Sequence, residues 1–481
     1  MVTPRFRNLR QSIANHSTLA YVGGLAGLTL FAAIIRAVGL GAKSLWYDEA
    51  VLYWIARTPI SALIAANAQG NSAPPLYAFL VHMVSGISSS EAALRSVSWL
   101  AGSLAIPLFY QLSVRYVSRA AAFASALLVA VAPVFVEYSQ QLREYSLTFL
   151  FSTLMLLGYH RYREGPSWKN LGLVVGAFCI GICLQYGLAL LIMALNLAFL
   201  VEVLWMRRNT RSAAMWASGQ SVVLVAAAAV WSSSLRQQFS TGAFEYLVRG
   251  YFEGPLASVP SFLLRQTYEM VLFAFPDPPL VILLIATGIL AAFIGDGSPA
   301  NLSHLGVPFL VAATAGLFSL YPYVGARQSI YLFPIIYVLA ALGFDYVLRV
   351  DRRGILAVLL VLLTGRAALL PTLGYLRSPG DENLKPLVQQ LNGDLAPGDR
   401  VFVCYGAIPA FRYYYTGDPS QVVEGATTEA WQEQFALSTS PRVWFVASHC
   451  GDVSTYLDFA NQRRSLREVA SAANAWLYVS P

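Results

Sequence analysis

Long apolar runs separated by short polar segments fill the first 375 positions of the chain. A run of about 20 apolar residues is long enough for a helix to cross the hydrocarbon core of a bilayer. We therefore predict an α-helical polytopic membrane protein with about eleven transmembrane helices and additional interfacial helices. The predicted spans are residues 18–40, 92–114, 120–136, 142–162, 171–185, 187–206, 213–232, 280–295, 305–320, 329–348 and 354–373.

The pattern changes after residue 375. From Asp381 onward, short helix-like and strand-like segments alternate, separated by turns such as Pro397-Gly398-Asp399. This alternation is typical of a small α/β domain. The sequence therefore predicts a transmembrane domain at residues 1–375 and an α/β domain at residues 376–481.

The basic residues set the orientation of the predicted spans. Clusters of arginine and lysine lie between apolar runs, and such clusters favour the cytoplasmic side of a membrane. Two spans must then separate each pair of neighbouring short-loop clusters, so the short apolar run at residues 76–87 is predicted to be an interfacial helix. The same reasoning places the loops 41–91 and 233–279 and the C-terminal domain outside. The clusters are Arg5, Arg7 and Arg10; Arg115 and Arg119; Arg161, Arg163 and Lys169; Arg207, Arg208 and Arg211; and Arg349, Arg352 and Arg353.

Composition supports the membrane assignment. Of the 481 residues, 57% are hydrophobic and 12% are charged, and the mean hydropathy is +0.55. An ordinary soluble domain does not show such values. A formal net charge of +7 would suit nucleic acid, but the basic residues follow the predicted membrane boundaries instead. We therefore expect membrane lipids, and no nucleic acid, among the partners.

One short stretch, Ser44-Leu-Trp-Tyr-Asp-Glu-Ala50, places two carboxylates directly after the first predicted span. One interpretation is that Asp48 is a helix N-cap and that Glu49 lies in the first turn of an amphipathic helix. The other is that one carboxylate faces a water-filled cavity and acts as a general base for a hydroxyl nucleophile. The two interpretations are compatible. Adjacent helical residues point in different directions, so Asp48 and Glu49 are not expected to share one task.

Other ionisable residues collect at the predicted external ends of spans. Arg143, Glu144 and Arg327 lie there, and ionisable groups that face a bundle interior are functional candidates. For each residue alone, snorkelling to the membrane interface is the alternative. The planar fork of arginine can bond two phosphate oxygens, which makes Arg327 and Arg143 the candidates for binding phosphate.

The four cysteines form two sequence pairs. Cys179 and Cys183 lie in one predicted span without accompanying metal ligands, which is typical of small buried residues. Cys404 and Cys450 lie in the predicted external domain, where an oxidising compartment permits a disulfide. The sequence shows no Walker loop, which disfavours a transporter driven by nucleotide hydrolysis.

Five short motifs follow one another along the chain. They are Ser44-Leu-Trp-Tyr-Asp-Glu-Ala50, Ala73-Pro-Pro-Leu-Tyr77, Glu91-Ala-Ala-Leu-Arg95, Tyr138-Ser-Gln-Gln-Leu-Arg-Glu-Tyr-Ser-Leu147 and Ala326-Arg-Gln-Ser-Ile-Tyr-Leu-Phe-Pro334. In order and spacing they resemble the GT-C glycosyltransferases. Within these enzymes the chain is most similar to the bacterial group related to protein O-mannosyltransferases, aminoarabinose transferases and rhizobial galacturonosyltransferases. The resemblance covers about residues 28–342.

The resemblance implies an enzyme of the bacterial inner membrane with its active site on the external face. It implies a polyprenyl-phosphate sugar donor, inversion at the anomeric carbon, and a hydroxyl acceptor on a lipid, a glycan or a protein. Asp48 and Glu49 match the catalytic Asp-Glu pair of the family, whose aspartate is the base, and the motif with Arg327 and Tyr331 is expected to contribute to donor binding. Gln141 replaces a usual Glu, so Glu144 becomes the candidate second acid or metal ligand. No cofactor is certain, and a divalent cation is possible.

Two other functions stay open on the sequence alone. A transporter or flippase of lipid-linked sugars would also need many spans, a basic phosphate site and intramembrane acids. Transporters more often show paired halves, and this sequence shows no such repeat. A polysaccharide polymerase or ligase would also consume polyprenyl-linked sugars. The external loop that carries Asp48 and Glu49 favours the glycosyltransferase.

Overall fold

The computed structural model describes residues 4–206, 210–240, 245–294, 299–351 and 353–480; the basic residues Arg207, Arg208 and Arg352 lie outside them. Helices dominate the described chain. In chain order they are α1 (Pro4–Ala37), α2 (Tyr47–Ala56), α3 (Leu63–Gly70), α4 (Leu76–Ser85), α5 (Glu91–Ser113), α6 (Arg119–Val131), α7 (Pro133–Ser139), α8 (Tyr145–Glu164), α9 (Trp168–Ile182), α10 (Gly187–Met206), α11 (Thr210–Val230), α12 (Arg236–Ser240), α13 (Val259–Ala274), α14 (Pro278–Ile294), α15 (Pro299–Leu317), α16 (Phe333–Val350), α17 (Ile355–Arg377), α18 (Lys385–Asp394), α19 (Ile408–Tyr414), α20 (Thr428–Leu437) and α21 (Val453–Asn461).

The chain divides into two compact units. The first, here called the helical unit, comprises Met1–Val38, Ser72–Tyr77 and Ser96–Gly374. The second, here called the sheet unit, comprises Gly39–Asn71, Ala78–Arg95 and Tyr375–Pro481. The last segment of the sheet unit begins at Tyr375. The predicted domain boundary lies between residues 375 and 376. Most of the loop 41–91, which the prediction counted with the N-terminal domain, belongs to the sheet unit.

Several described helices are long and apolar enough to cross a membrane. Five satisfy both criteria, and two bent helix pairs raise the number to at most seven. Helix α4 has ten residues and spans about 15 Å, which fits the interfacial helix predicted at residues 76–87. The polytopic helical architecture is confirmed, whereas eleven crossings stay a prediction. The five helices are Glu91–Ser113, Gly187–Leu204, Thr210–Ser240, Arg327–Val350 and Ile355–Arg377.

The predicted span 120–136 is a bent pair, in which α6 and α7 meet at 54°. Pro133 causes the break, because proline lacks an N–H and disfavours a helical conformation in the residue before it. The fully buried guanidinium of Arg36 donates to the carbonyls of Val129 and Ala130 at 3.2 and 2.8 Å. Its Nε also lies 3.1 Å from Ser139 Oγ. The Arg36 guanidinium therefore satisfies two carbonyls at the C-terminal end of α6 and links α1 to α7.

Helices α14 and α16 approach each other closely because glycines line their contact. A Cβ on Gly343 would lie 1.9 Å from the carbonyl oxygen of Leu284, and one on Gly288 would lie 2.5 Å from that of Leu339. Small residues allow such backbone contact between helices in a membrane, where packing replaces the hydrophobic effect.

The sheet unit contains a five-stranded sheet with the order β2-β1-β3-β5-β4. The strands are β1 (Arg400–Val403), β2 (Val422–Glu424), β3 (Val443–Ser448), β4 (Arg467–Ala472) and β5 (Ala475–Ser480). Strand β1 pairs in parallel with β2 and β3, while β5 runs antiparallel to β3 and β4. Strand β3 is central and buried along its whole length, as expected for a strand covered on both faces. The predicted α/β domain is confirmed.

The final hairpin, β4 and β5, was not among the predicted segments. Strand β4 is an edge strand, and most of its residues are exposed or half-buried. Such a strand lacks the alternation that marks a half-buried strand in sequence. Asn474 has a φ of 46° at the turn, a conformation that asparagine tolerates better than most residues.

Candidate active site

Helix α2 carries the two carboxylates of the first motif. It begins at Tyr47 with Trp46 as its N-cap, so Asp48 and Glu49 are the second and third helical residues. The N-cap interpretation of Asp48 is therefore wrong. The reason is that the chain enters the helix earlier and that Glu49 Oε2 accepts from the Trp46 N–H, at 3.4 Å. Asp48 is partly exposed, and the dipole of the helix favours a negative charge at this end.

Glu49 is fully buried in an ion pair. Its Oε1 and Oε2 accept from Arg95 Nε and NH2 at 2.9 and 2.6 Å. Arg95 also donates to the carbonyls of Leu40, Lys43 and Ser44 at 3.0, 3.0 and 2.9 Å. Such a bidentate pair is strong because it is charge-assisted and geometrically fixed. Glu49 is therefore bonded to Arg95, whereas Asp48, one position earlier, is partly exposed.

A segment from the C-terminal part of the sheet unit is bonded to the start of α2. Glu382 Oε2 accepts from the Tyr47 N–H at 3.0 Å. Ser44 Oγ lies 2.8 Å from Asn383 Oδ1 and accepts from the Lys385 N–H at 2.9 Å. The first motif is thus held by residues more than 330 positions away in the chain.

His449 extends this contact. Its Nδ1 lies 2.6 Å from Glu382 Oε1, and its ring stacks on Tyr47 with 4.5 Å between centroids and 2° between planes. The Tyr47 hydroxyl lies 3.2 Å from the Tyr405 hydroxyl. The bond to Glu382 raises the pKa of His449 against the opposing effect of burial, and the charge of Asp48 raises it further.

The disulfide between Cys404 and Cys450, permitted by the sequence, is present in the structure, with 6.0 Å between the Cα atoms. It links the segment after β1 to the segment after β3. Tyr405 and His449 are the neighbours of these cysteines, so the disulfide holds the two aromatic side chains near each other. Cys179 and Cys183 are not in a disulfide.

In the helical unit, Arg143 and Glu144 lie between α7 and α8, and both are buried. Arg143 Nε is 3.4 Å from Glu144 Oε2. Ser98 Oγ donates to the Arg143 carbonyl at 2.8 Å and lies 2.7 Å from the Tyr77 hydroxyl. These bonds fix the loop that carries the pair.

Arg327 begins a 3₁₀ turn, Arg327–Leu332, directly before α16. Its guanidinium carbon is 5.8 Å from the centroid of the Tyr145 ring. The guanidinium carbon of Arg143 is 5.7 Å from the same centroid. An aromatic face attracts cations at this distance, so the structure brings the two predicted phosphate-binding arginines to one tyrosine.

A polar cavity of about 30 Å³ adjoins this tyrosine. Two buried acceptors in its wall, Glu144 Oε2 and Gln185 Oε1, have no hydrogen-bond donor among the described residues. Buried acceptors without donors are costly, so this cavity suits a ligand that donates hydrogen bonds. Its lining residues are Ser72, Ala73, Glu144, Tyr145, Gln185, Tyr186, Leu247, Tyr321 and Gln328.

A larger apolar cavity of about 540 Å³ shares Tyr186, Leu247 and Tyr321 with the polar one. Its other lining residues come mainly from α10, α11 and the segment that continues α11. A cavity with polar side chains in its wall next to an apolar cavity suits a ligand that has a polar head and a hydrocarbon tail.

Tyr331 is 1% exposed, and its ring packs against other residues. A Cβ on Gly187 would come within 2.7 Å of that ring, and the Tyr321 ring centroid lies 6.3 Å away. The structure thus places Tyr331 behind the cavity wall, so a direct contact of this residue with a donor stays a prediction.

Among the described residues, the side chains of His, Cys, Asp and Glu form no group of three or more that could hold a metal ion. Glu144 stands near one amide oxygen and hydroxyl groups, which is a poor set for a tightly bound cation. We therefore derive no step through a metal.

Sequence reasoning missed Arg95, Gln185, Glu382 and His449 as contributors. Arg95 carried a signal, because an arginine at the start of an apolar helix needs a partner. The cysteine pair was the signal for His449, since a disulfide at Cys450 restricts its neighbour. No signal in the sequence pointed to Glu382 or Gln185, because their hydrogen-bond partners are distant in the chain.

Residues 72–232 match the family described as dolichyl-phosphate-mannose-protein mannosyltransferase. A comparison of the whole sequence with curated proteins finds no match.

Solved structures with the same fold cover nearly the whole chain. ArnT from Cupriavidus metallidurans bound to undecaprenyl phosphate shares 16% identity and gives a TM-score of 0.56, over 95% of this chain and 98% of ArnT. The Archaeoglobus fulgidus oligosaccharyltransferase in complex with Zn and sulfate shares 15% identity with a TM-score of 0.56, over 94% of this chain and 72% of that protein. The family match covers about a third of the chain, and ArnT and the oligosaccharyltransferase share its fold.

Proposed function

We propose that the protein moves a sugar from a polyprenyl-phosphate donor to a hydroxyl acceptor, with inversion, at the external face of a bacterial inner membrane. The observation that carries this proposal is that Tyr145, which both Arg143 and Arg327 approach, lines a small cavity that shares three wall residues with an apolar cavity of about 540 Å³. The arginines suit a phosphate, and the apolar cavity suits a prenyl chain. ArnT, which has the same fold, has been solved with undecaprenyl phosphate.

Arg143 and Arg327 are proposed to hold the phosphate. Each lies less than 6 Å from the Tyr145 ring centroid, so both can approach one anion. A phosphate monoester is a good leaving group that needs no proton. The departing phosphate gains negative charge as the bond to the sugar breaks, and the arginines stabilise that charge.

Glu144 and Gln185 are proposed to bind the sugar. Sugar hydroxyls donate hydrogen bonds, and Glu144 Oε2 and Gln185 Oε1 are buried acceptors in the cavity wall. A bound sugar would relieve the cost of these acceptors, which for a neutral group is about 1 to 3 kcal/mol. In this assignment Glu144 acts as a binding carboxylate rather than as a proton donor.

Asp48 is proposed to act as the base. The acceptor oxygen attacks the anomeric carbon, its proton passes to the Asp48 carboxylate, and the bond from that carbon to the phosphate oxygen breaks. Polyprenyl phosphate leaves with the bonding electrons. The Asp48 side chain is partly exposed, as a base for an acceptor hydroxyl must be. Glu49 is buried in its ion pair with Arg95.

The test uses the purified full chain in liposomes. Undecaprenyl-phosphate-linked mannose, galacturonic acid and 4-amino-arabinose are supplied separately, each with lipid A or a Ser/Thr peptide as acceptor. We expect undecaprenyl phosphate to be released from at least one donor, together with a glycosylated acceptor.

Two results would contradict the proposal. Movement of an intact donor between leaflets without its consumption would indicate a flippase. Extension of a glycan chain by repeated units would indicate a polymerase. Arg265→Ala is a suitable control variant, since this arginine is exposed and lies 3.9 Å from Glu269.

The proposed orientation has its own test. A cysteine introduced at Asp381, in a variant with Cys179 and Cys183 replaced by serine, should react with a membrane-impermeant thiol reagent in cells whose outer barrier is opened. Labelling that requires lysis of the inner membrane would place this segment in the cytoplasm and refute the proposed external face.

A further inference from the structure

The start of α2 is held by a side chain from a remote part of the sheet unit. The first N–H groups of a helix have no partner within the helix. For Tyr47 that partner is Glu382 Oε2, at 3.0 Å. The position of the neighbouring Asp48 therefore depends on where the carboxylate of Glu382 stands.

Glu382 is held in turn by His449. The second oxygen of the carboxylate lies 2.6 Å from His449 Nδ1, and Glu382 is mostly buried. The stacked ring of Tyr47 covers one face of the imidazole. The groups that face His449 are thus the carboxylates of Glu382 and Asp48 and the ring of Tyr47. Both charges are negative, and both favour the protonated imidazole.

The backbone around His449 is restricted. His449 has a φ of 54°, a left-handed conformation that non-glycine residues rarely adopt. A Cβ on Gly406 would lie 1.9 Å from the His449 carbonyl oxygen, so two loop segments touch directly there. The disulfide between Cys404 and Cys450 fastens the same two segments. Strained residues that are over-determined by their surroundings cluster at functional sites.

We propose that His449 and Glu382 are positioning residues for Asp48, and that the Cys404–Cys450 disulfide holds them in place. The protonated imidazole orients the Glu382 carboxylate, the carboxylate fixes the Tyr47 N–H, and the first turn of α2 presents Asp48 to the acceptor. This inference rests on the proposed role of Asp48 as the base. The proposed arrangement therefore depends on whether the His449 imidazole is protonated.

Loss of the His449 proton should loosen this arrangement. The hydrogen bond to Glu382 raises the pKa of His449 above its usual value, so the pair is intact at low pH and is lost as pH rises through the raised pKa. The kcat of the wild type should therefore fall as pH rises through the raised pKa of His449, and this decline is here called the alkaline limb.

The experiment measures kcat and KM for undecaprenyl phosphate release against pH, with whichever of the three donors the wild type consumes. His449→Gln retains a hydrogen-bond donor but does not titrate. We expect kcat to fall about 10-fold, because small misplacements of a catalytic group are costly. KM for the donor should stay within about twofold, since the inferred effect is on the base alone. The alkaline limb should disappear.

Glu382→Gln separates positioning from mere structural support. Its amide oxygen can still accept from the Tyr47 N–H, but the negative charge is gone. The alkaline limb should therefore move to lower pH rather than vanish. His82→Gln is the matched control, because His82 is the other histidine of the sheet unit and its ring bonds the Ala56 carbonyl. It should leave the pH profile unchanged.

The disulfide gives a second readout. Replacing Cys404 and Cys450 by serine should lower kcat to about the level of His449→Gln, and combining the changes should add little further loss. If His449→Gln had the kcat of the wild type and the same alkaline limb, the inference would be overturned. A wild type that consumes none of the donors would instead refute the proposed function, so the two failures are distinguishable.

Discussion

The two units treat their buried charges differently. In the sheet unit, Glu49 meets Arg95 in a bidentate ion pair, and Lys385 meets Glu91 at 2.7 Å. In the helical unit, the polar cavity retains buried acceptors on Glu144 and Gln185 without donors among the described residues. The carboxylate of Glu49 is thus satisfied by Arg95, whereas Glu144 Oε2 and Gln185 Oε1 lack a hydrogen-bond donor among the described residues.

This contrast teaches how to assign roles to charged residues in a membrane protein. A buried charge with every atom satisfied stabilises a structure, whereas a buried acceptor without a donor points to binding. Glu49 and Glu144 look alike in sequence, since both are acids in motifs at predicted external ends. Their partners differ, since Glu49 forms a bidentate pair with Arg95 and Glu144 Oε2 lies 3.4 Å from Arg143 Nε.

The largest effect is expected for Asp48→Asn. Asparagine keeps the shape of the side chain but cannot accept the proton, so kcat should fall by roughly 10²- to 10⁴-fold while the protein stays folded. Donor turnover and thermal unfolding measure the two properties. Glu49→Gln is the comparison. Nearly full turnover in Asp48→Asn together with a large loss in Glu49→Gln, at unchanged folding, would transfer the base role to Glu49.

The next effect concerns stability. Arg95→Ala leaves Glu49 buried without its cation and deprives the Leu40, Lys43 and Ser44 carbonyls of their donor, so unfolding should become easier by about 3 to 5 kcal/mol. Denaturation of the purified protein in detergent would show it. Arg115→Ala is the control, because its pair with Glu164 is solvent-exposed and such pairs contribute about 1 kcal/mol or less. Equal losses in both variants would contradict the structural role of Glu49.

Arg327→Ala should weaken binding of undecaprenyl phosphate. A charge-assisted contact is worth about 1.5 to 3 kcal/mol, or roughly a 10- to 150-fold rise in Kd. Titration in detergent micelles measures the change, and Arg265→Ala is the control. Arg327→Lys should recover only part of the affinity, since a point charge cannot form two parallel bonds. Unchanged affinity in a folded Arg327→Ala would move the role to Arg143.

The smallest effect is expected for Tyr331→Phe. The ring still packs against Gly187, and only the hydroxyl is lost, so we expect the Kd for undecaprenyl phosphate to change by about twofold or less. Gly187→Ala should be more harmful, because its Cβ would meet the Tyr331 ring at 2.7 Å. A tenfold loss in Tyr331→Phe would show that the hydroxyl contacts the donor directly.

Local patterns predicted most of the helical elements well. The predicted spans 187–206 and 280–295 match α10 and α14 within a few residues, since an apolar run must be hydrogen-bonded internally in lipid. The break at Pro133 and the hairpin β4–β5 were not predicted. The break depends on whether Arg36 can satisfy the open end of α6, and the edge strand has little hydrophobic pattern of its own.

By itself, the sequence determined the class of the protein, because composition and apolar periodicity act locally and need no partner. It also determined the candidates Asp48, Arg143, Glu144 and Arg327, since charge in an apolar chain is costly and is retained for a purpose. Only the tertiary structure decided which partners these candidates have. Arg95 pairs with Glu49, Tyr145 lies near both arginines, and Glu382 with His449 joins the first motif to the C-terminal segment. Such assignments depend on distances between residues far apart in the chain, which no local pattern encodes.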